Sequence, residues 1–192
     1  MKEKKEFPVL GFPSPEKWEA WLHKNHAKSD GVWLRFHKKG SGVQTVVYAE
    51  ALDAALCYGW IDSQAKKYDA TSYIQKFTPR RSKSIWSKVN RGKVAALIKA
   101  GRMKAAGLAA IEAAKADGRW KAAYDSPRNI RMPAEFLRAL GTDKKARAFF
   151  DTLNKANTYA IAWRIQTAKK PETRARRIAQ FVKMMAEGRK LH

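Results

Sequence analysis

Two dense blocks of aromatic and basic residues between positions 58 and 90 decide how the rest of the chain is interpreted. The first is Tyr58-Gly59-Trp60-Ile61-Asp62, and the second is Phe77-Thr78-Pro79-Arg80-Arg81-Ser82-Lys83-Ser84-Ile85-Trp86-Ser87-Lys88-Val89-Asn90. Gly59 follows an amphipathic helical pattern over residues 48–58 and suits the left-handed position just after a helix end. Residues 60–67 and 73–77 have strand patterns, separated by a turn signal at 69–71, which predicts a β-hairpin.

A further strand is predicted at residues 32–38, because apolar residues from Val32 to Phe36 alternate with Trp33 and Arg35 on the opposite side. Residues 1–13 are expected to be extended against the core without regular structure, since prolines and a glycine interrupt them. The sequence therefore supplies strands for a small sheet.

Helix starts are marked by capping residues and prolines. Ser14 with Pro15 predicts one helix, and Ser82 or Ser84 is expected to cap the helix that carries Trp86. Another helix is predicted over residues 103–116. The C-terminal region has four further start signals, at Pro133, Asp143, Asn154 or Lys155, and Pro171.

These patterns predict an α+β fold: a small antiparallel sheet covered by helices, followed by a helical C-terminal region. We expect an α+β core domain at residues 1–124, a linker rich in turn residues, and a helical region at residues 133–192 that is either separate or packed on the core as one unit.

The chain is strongly basic. Forty Lys and Arg against seventeen Asp and Glu give a formal net charge of +23. Ten Lys or Arg and no acidic residue lie between Asp69 and Glu112. Such a surplus favours polyanionic partners, which are nucleic acid, anionic lipid head groups or acidic proteins, although a soluble protein with a basic surface and no such partner is the alternative.

The basic run beside aromatic residues is the first candidate site. Its members would neutralise phosphates: Arg80, Arg81, Lys83, Lys88, Arg91, Lys93, Arg174, Arg176 and Arg177. Trp60, Phe77 and Trp86 would stack on bases, or would instead be ordinary core residues.

A pocket lined with carboxylates is the second candidate site. It would be built from Glu50, Asp53, Trp60, Asp62, Trp86 and Asn90. Asp62 would either form a structural ion pair with Arg80 or act in proton transfer, and Glu50 and Asp53 lie three residues apart on the predicted helix. The structural interpretation is favoured for all three.

Neither a cofactor nor a metal site is predicted. His23 and His26 have helical spacing for a shared ligand but lack an obvious third partner, and the sequence contains no nucleotide-binding or metalloprotease motif. Cys57 is the sole cysteine, which precludes an intrachain disulfide. No apolar export or membrane-spanning segment is evident, so a cytoplasmic location is expected.

Long blocks of the sequence resemble the YdeI/OmpD-associated proteins, which are also described as bacteriocin-protection proteins. The resemblance is carried by residues 48–62, Phe77-Thr78-Pro79-Arg80, Trp86-Ser87 with Asn90, Gly101-Arg102-Met103, Gly118-Arg119-Trp120 and the closing run at 168–178. It implies a bacterial, non-enzymatic protein connected with envelope stress and with tolerance of antimicrobial peptides or bacteriocins.

Three functions follow as hypotheses. The first is a binding protein of the YdeI/OmpD-associated type, the second is a protein that binds single-stranded nucleic acid or RNA, and the third is an enzyme with a carboxylate-lined pocket.

Overall fold

A computed structural model describes residues 6–191 and divides them into two compact units. The first unit contains residues 6–85 and 90–121, and the second contains residues 86–89 and 122–191. The described residues form eight helices and a mixed four-stranded sheet, so the predicted α+β class is confirmed.

The first unit is built on the sheet, whose strands have the order β1-β2-β4-β3. The strands are β1 (Val9–Gly11), β2 (Val32–His37), β3 (Trp60–Lys67) and β4 (Ser72–Pro79). β2 and β3 both pair antiparallel with β4, as the predicted hairpin requires. β1 pairs parallel with β2, so the expectations of an irregular leader and of a purely antiparallel sheet were wrong. A three-residue edge strand tolerates the flanking prolines because its outer hydrogen-bonding side needs no partner.

Four helices accompany the sheet: α1 (Pro15–Asn25), α2 (Tyr48–Cys57), α3 (Lys88–Lys99) and α4 (Ala105–Ala116). Trp18 of α1 is fully buried and lies edge-on to Phe77 and Trp60, with ring centroids 5.7 and 6.5 Å away. Its indole nitrogen donates to the carbonyl of Ala51 at 3.0 Å. This aromatic cluster is the core between the helices and the inner face of the sheet, and α1 and α2 begin where the sequence predicts.

The start of α3 differs from the prediction. Ser82 and Ser84 do not cap it, because α3 begins at Lys88. Ser84 Oγ instead accepts a hydrogen bond from the backbone nitrogen of Arg81 at 3.0 Å, which holds a tight turn after β4. A short polar side chain that bonds within its own turn is not available as a cap further along the chain.

The second unit packs four helices: α5 (Ala134–Gly141), α6 (Lys144–Phe150), α7 (Lys155–Gln166) and α8 (Pro171–Ala186). The predicted caps are present: Asp143 accepts from the nitrogen of Ala146 at 2.9 Å and Asn154 from that of Asn157 at 3.0 Å. The core contains Phe136, Leu140, Ala146, Ile161, Ile165, Phe181 and Met185.

Candidate nucleic-acid interface

The sheet of the first unit has an outer face, opposite the face that contacts Trp18. Cross-strand register places Val9, Trp33 and Lys76 in one row of this face, and Arg35, Ile74 and Lys66 in the next. We use the name outer face for these six residues. Five of these side chains are half-buried or exposed. The sixth, Ile74, is covered by its neighbours and is only 2% exposed. The outer face therefore combines a tryptophan with long cationic side chains.

The cations of this face lie over aromatic rings. Lys66 Nζ is 4.5 Å from the centroid of Trp33 and Lys76 Nζ is 5.9 Å from it. Lys76 Nζ is also 4.2 Å from the ring of Phe7. These distances are typical of cation–π contacts, which hold an ammonium group near a ring while leaving its remaining hydrogen-bond donors to solvent. The result is a row in which charge and ring alternate.

A second aromatic–cation pair closes one end of the face. The Arg35 guanidinium lies 4.8 Å from the ring of Tyr68, which is 49% exposed. Arg35 also bonds Asp69 Oδ2 at 2.6 Å and Ser72 Oγ at 3.0 Å. The pKa of Asp69 falls to about 2, chiefly because Ser72 and Thr71 hydrogen-bond the carboxylate. Asp69 is therefore ionised at neutral pH and fixes the guanidinium in place.

A cavity of about 750 Å³ lies over this face and is lined by Phe7, Trp33, Lys66, Tyr68 and Lys76, among others. An adjoining cavity of about 490 Å³ shares Phe7 and Lys76 with it and continues to Arg80 and Arg81. The two cavities together form a mostly basic track across the first unit, with one carboxylate in the lining of each, Glu6 in the first and Asp30 in the second.

The nine cations predicted to bind polyanions fall into two groups, those with contacts inside the protein and those with exposed side chains. Six make contacts within their own unit: Lys88 with Asp125, Lys93 with Asp53, Arg174 with Glu135, Arg177 with the carbonyl of Arg164, Arg91 over the ring of Trp120, and Arg80 with the carbonyl of Ile85. Arg81, Lys83 and Arg176 have exposed side chains. Only Arg80 and Arg81 of the nine line the track.

The aromatic residues predicted as stacking groups belong to the interior. Trp60 and Trp86 are 1% exposed and Phe77 is fully buried. The indole nitrogen of Trp60 donates to the carbonyl of His26 at 3.1 Å. Their assignment as stacking groups was therefore wrong, and the alternative interpretation as core residues holds.

The six residues of the predicted carboxylate pocket have separate local contacts. Glu50 caps its own helix by accepting from the nitrogen of Val47 at 3.4 Å, and Asp53 pairs with Lys93 at 2.8 Å. Asp62 accepts from Tyr48 Oη at 2.8 Å and from Gln75 at 3.2 Å, so two neutral donors replace the expected Arg80. Asn90 lies in the first unit on α3, and Trp86 belongs to the second unit.

Metal binding has little support in the described part of the chain, where no group of three or more His, Cys, Asp or Glu residues is placed to hold an ion. His26 Nδ1 lies 2.9 Å from the carbonyl of Leu22, and His23 is exposed. Burial raises the pKa of the Cys57 thiol, which disfavours its reactive thiolate form. Over residues 6–191, the helices are all too short or too polar to cross a bilayer.

Two family models match the chain, each over a different region. The model of the domain of unknown function DUF8412 matches residues 10–110, more than half of the chain. The chain belongs to this family. Residues 129–188 match the model of the family described as bacteriocin-protection, YdeI or OmpD-associated, which confirms the resemblance drawn from the sequence. Neither the curated proteins nor the solved structures gave a match.

The two matches fall on different parts of the chain. The blocks at 48–62, 77–90 and 101–103 lie inside the first matched region, and the closing run at 168–178 lies inside the second. Five of the six outer-face residues lie in the region matched as DUF8412, and Val9 directly precedes it.

Sequence reasoning missed the outer face, although one signal pointed to it. The alternation in β2 placed Trp33 on the side opposite Leu34, away from the predicted core. The sequence does not reveal the strand register that places Lys76 beside Trp33. It also does not reveal the irregularity between Asp62 and Ala65, which shifts the pairing of β3 with β4 so that Lys66 lies opposite Ile74.

Proposed function

We propose that the first unit binds single-stranded nucleic acid on its outer face. The observation that carries the proposal is Trp33, half-buried on the outer face of the sheet with the ammonium groups of Lys66 and Lys76 at its ring. Unpaired bases stack on aromatic side chains of this kind, and cations beside the ring neutralise the phosphates of the same nucleotides.

The arrangement suits a flexible strand. Successive bases of an extended strand would meet Phe7, Trp33 and Tyr68, while its backbone follows the lysines toward Arg81. Stacking requires a base that is free of its complement, which favours single strands over duplexes. The cavity over the face is large enough, at about 750 Å³, for one or two nucleotides in contact with the rings.

Replacing the stacking residue tests the proposal directly. Trp33→Ala should weaken binding of a fluorescent oligothymidylate or oligouridylate by about 5- to 150-fold, because one base–aromatic stack contributes about 1–3 kcal/mol. Fluorescence anisotropy gives the affinity, and circular dichroism checks the fold. Trp163→Ala, which removes a half-buried tryptophan from the second unit, is the matched control and should leave the affinity unchanged.

Removing charge tests the electrostatic part. Lys66→Gln with Lys76→Gln should reduce the slope of log affinity against log salt by about 1.4, since each phosphate contact with a single strand contributes about 0.7. Lys17→Gln with Lys24→Gln removes the same charge from exposed positions on α1 and should change the slope little. Equal slopes for the two pairs, or full affinity in Trp33→Ala, would exclude the outer face as the binding site.

A second function concerns tolerance of bacteriocins or antimicrobial peptides, and the match of residues 129–188 favours it. We propose that this role, together with any envelope-stress role, would be exercised from the cytoplasm through nucleic acid or a protein partner. Direct capture of cationic peptides by a chain of charge +23 is disfavoured, because like charges repel. Complementing a deletion strain with Trp33→Ala would separate the two functions: restored peptide tolerance would make it independent of the outer face.

A further inference from the structure

The second unit contains a groove that is separate from the outer face. It encloses about 620 Å³ and is lined by Tyr124, Pro127, Lys155, Tyr159, Trp163 and Arg164, with Ala156 and Ala160 completing the lining. Tyr124 and Trp163 meet edge to face, with ring centroids 5.9 Å apart. The volume lies within the range of small-molecule sites, and most of the lining is aromatic or aliphatic.

The spacing of residues on α7 produces the groove. Lys155, Tyr159 and Trp163 are four residues apart and form one row along the helix surface, and Ala156, Ala160 and Arg164 form the adjacent row. The small alanine side chains form a low floor beside the aromatic wall. Ala160 is only 7% exposed, which places the floor below the surface of the unit.

Both charged residues of the lining are cationic, and no Asp or Glu is among them. Lys155 is exposed at one end. At the other end Arg164 is held over its own helix, since Nη1 donates to the carbonyl of Ala160 at 3.2 Å. Burial, and to a lesser extent Tyr124, raises the pKa of Tyr159, so its phenol stays protonated at neutral pH and is able to donate a hydrogen bond. An apolar slot with cations at both ends complements a ligand that is apolar in its body and negatively charged at its tip.

We propose that this groove binds a small aromatic carboxylate, with its rings against Tyr124 and Trp163 and its carboxylate at Lys155 or Arg164. Aromatic rings prefer the edge-to-face and offset contacts that these walls offer, and a charged acceptor gives hydrogen bonds of about twice the strength of neutral ones.

Naphthylacetate and its neutral isostere naphthylacetamide test the proposal by isothermal titration calorimetry on the full chain. The acid should bind about 10-fold more tightly than the amide. Lys155→Gln with Arg164→Gln should reduce the affinity for the acid to that for the amide and leave the amide unaffected. Ala156→Trp, which fills the groove from an exposed helical position, should abolish binding of both compounds.

Two controls keep the test specific. Lys144→Gln with Lys145→Gln removes equal charge from exposed positions on α6 and should retain full affinity for the acid. Trp33→Ala should also bind the acid normally, which distinguishes this site from the one proposed for nucleic acid. The proposal is overturned by equal affinities for acid and amide, by unchanged binding in a folded Ala156→Trp, or by the absence of binding to either compound.

Discussion

Asp69 illustrates how one carboxylate organises the end of the outer face. Its Oδ1 accepts from the backbone nitrogen of Thr71 at 2.8 Å, which shapes the turn between β3 and β4. Its Oδ2 meets Arg35 at 2.6 Å and so joins that turn to β2. Hydrogen bonds from Ser72, and then from Thr71, favour the ionised carboxylate and lower the pKa of Asp69 from 3.8 to about 2.

Asp69→Asn should therefore destabilise the protein in a pH-dependent way. A folded-state pKa below the unfolded value gives stability that is present above about pH 4 and is lost as the pH falls through about 2. The urea midpoint of the variant should be below that of the wild type at neutral pH, and the gap should close on acidification. Glu112→Gln, which breaks an exposed pair with Lys115, should produce no comparable gap. A gap that stays constant down to pH 3 would contradict the assignment.

Two tryptophans of the sheet, Trp33 on β2 and Trp60 on β3, show how far the direction of a side chain can be predicted from sequence. Trp33 alternates with buried Val32 and Leu34, so its outward direction follows from the period of a strand. Trp60 begins a strand directly after Gly59 and has no such alternation to indicate its direction. It faces inward because α1 supplies Trp18 there, and that contact depends on the fold as a whole.

At the scale of the elements, α4 packs against the end of α2 with almost no space between the backbones. The amide nitrogen of Lys104 donates to the carbonyl of Cys57 at 3.1 Å. A Cβ on Gly107 would lie 2.3 Å from that carbonyl oxygen, and one on Gly59 would lie 2.8 Å from the carbonyl oxygen of Ala106. Gly59 also has a φ of +72°, which other residues rarely adopt. These two glycines permit the close approach of the helices.

Gly107→Ala should lower the free energy of unfolding by about 1–3 kcal/mol, because the added methyl group would overlap the backbone carbonyl of Cys57 and force α4 away from α2. Gly92→Ala is the matched control on α3, where an added Cβ meets nothing within 4 Å. It should raise stability by about 0.5–1 kcal/mol through helix propensity alone. Urea unfolding measures both. Similar effects of the two substitutions would contradict the close contact between α2 and α4.

Elements with local signals were predictable, and elements set by distant partners were not. Asp143 and Asn154 cap α6 and α7 because a cap depends on residues three positions away. β1 forms only because β2 offers it a parallel edge, some twenty residues further along the chain. The same limit applies to the candidate site, since its cations and rings come from three strands whose register is fixed by tertiary pairing.

At the scale of the whole molecule, the net charge of +23 and the outer face make different contributions to binding. The overall charge attracts any polyanion, because counterion release does not depend on base sequence or strandedness. The internal contacts of Lys88, Lys93 and Arg174 reduce the number of cations that are available, so the charge count alone overstates affinity. Selectivity for unpaired strands has to come from the rings.

Comparing a single strand of about 12 nucleotides with its own duplex therefore separates the two contributions. Trp33→Ala should reduce affinity for the single strand but leave duplex affinity unchanged, because duplex bases are stacked on each other and do not reach the ring. Lys66→Gln with Lys76→Gln should weaken binding to both, since each loses the same phosphate contacts. Competition titrations followed by anisotropy measure the ratio of affinities. A parallel loss of single-strand and duplex binding in Trp33→Ala would mean that Trp33 supports the sheet and does not stack on bases.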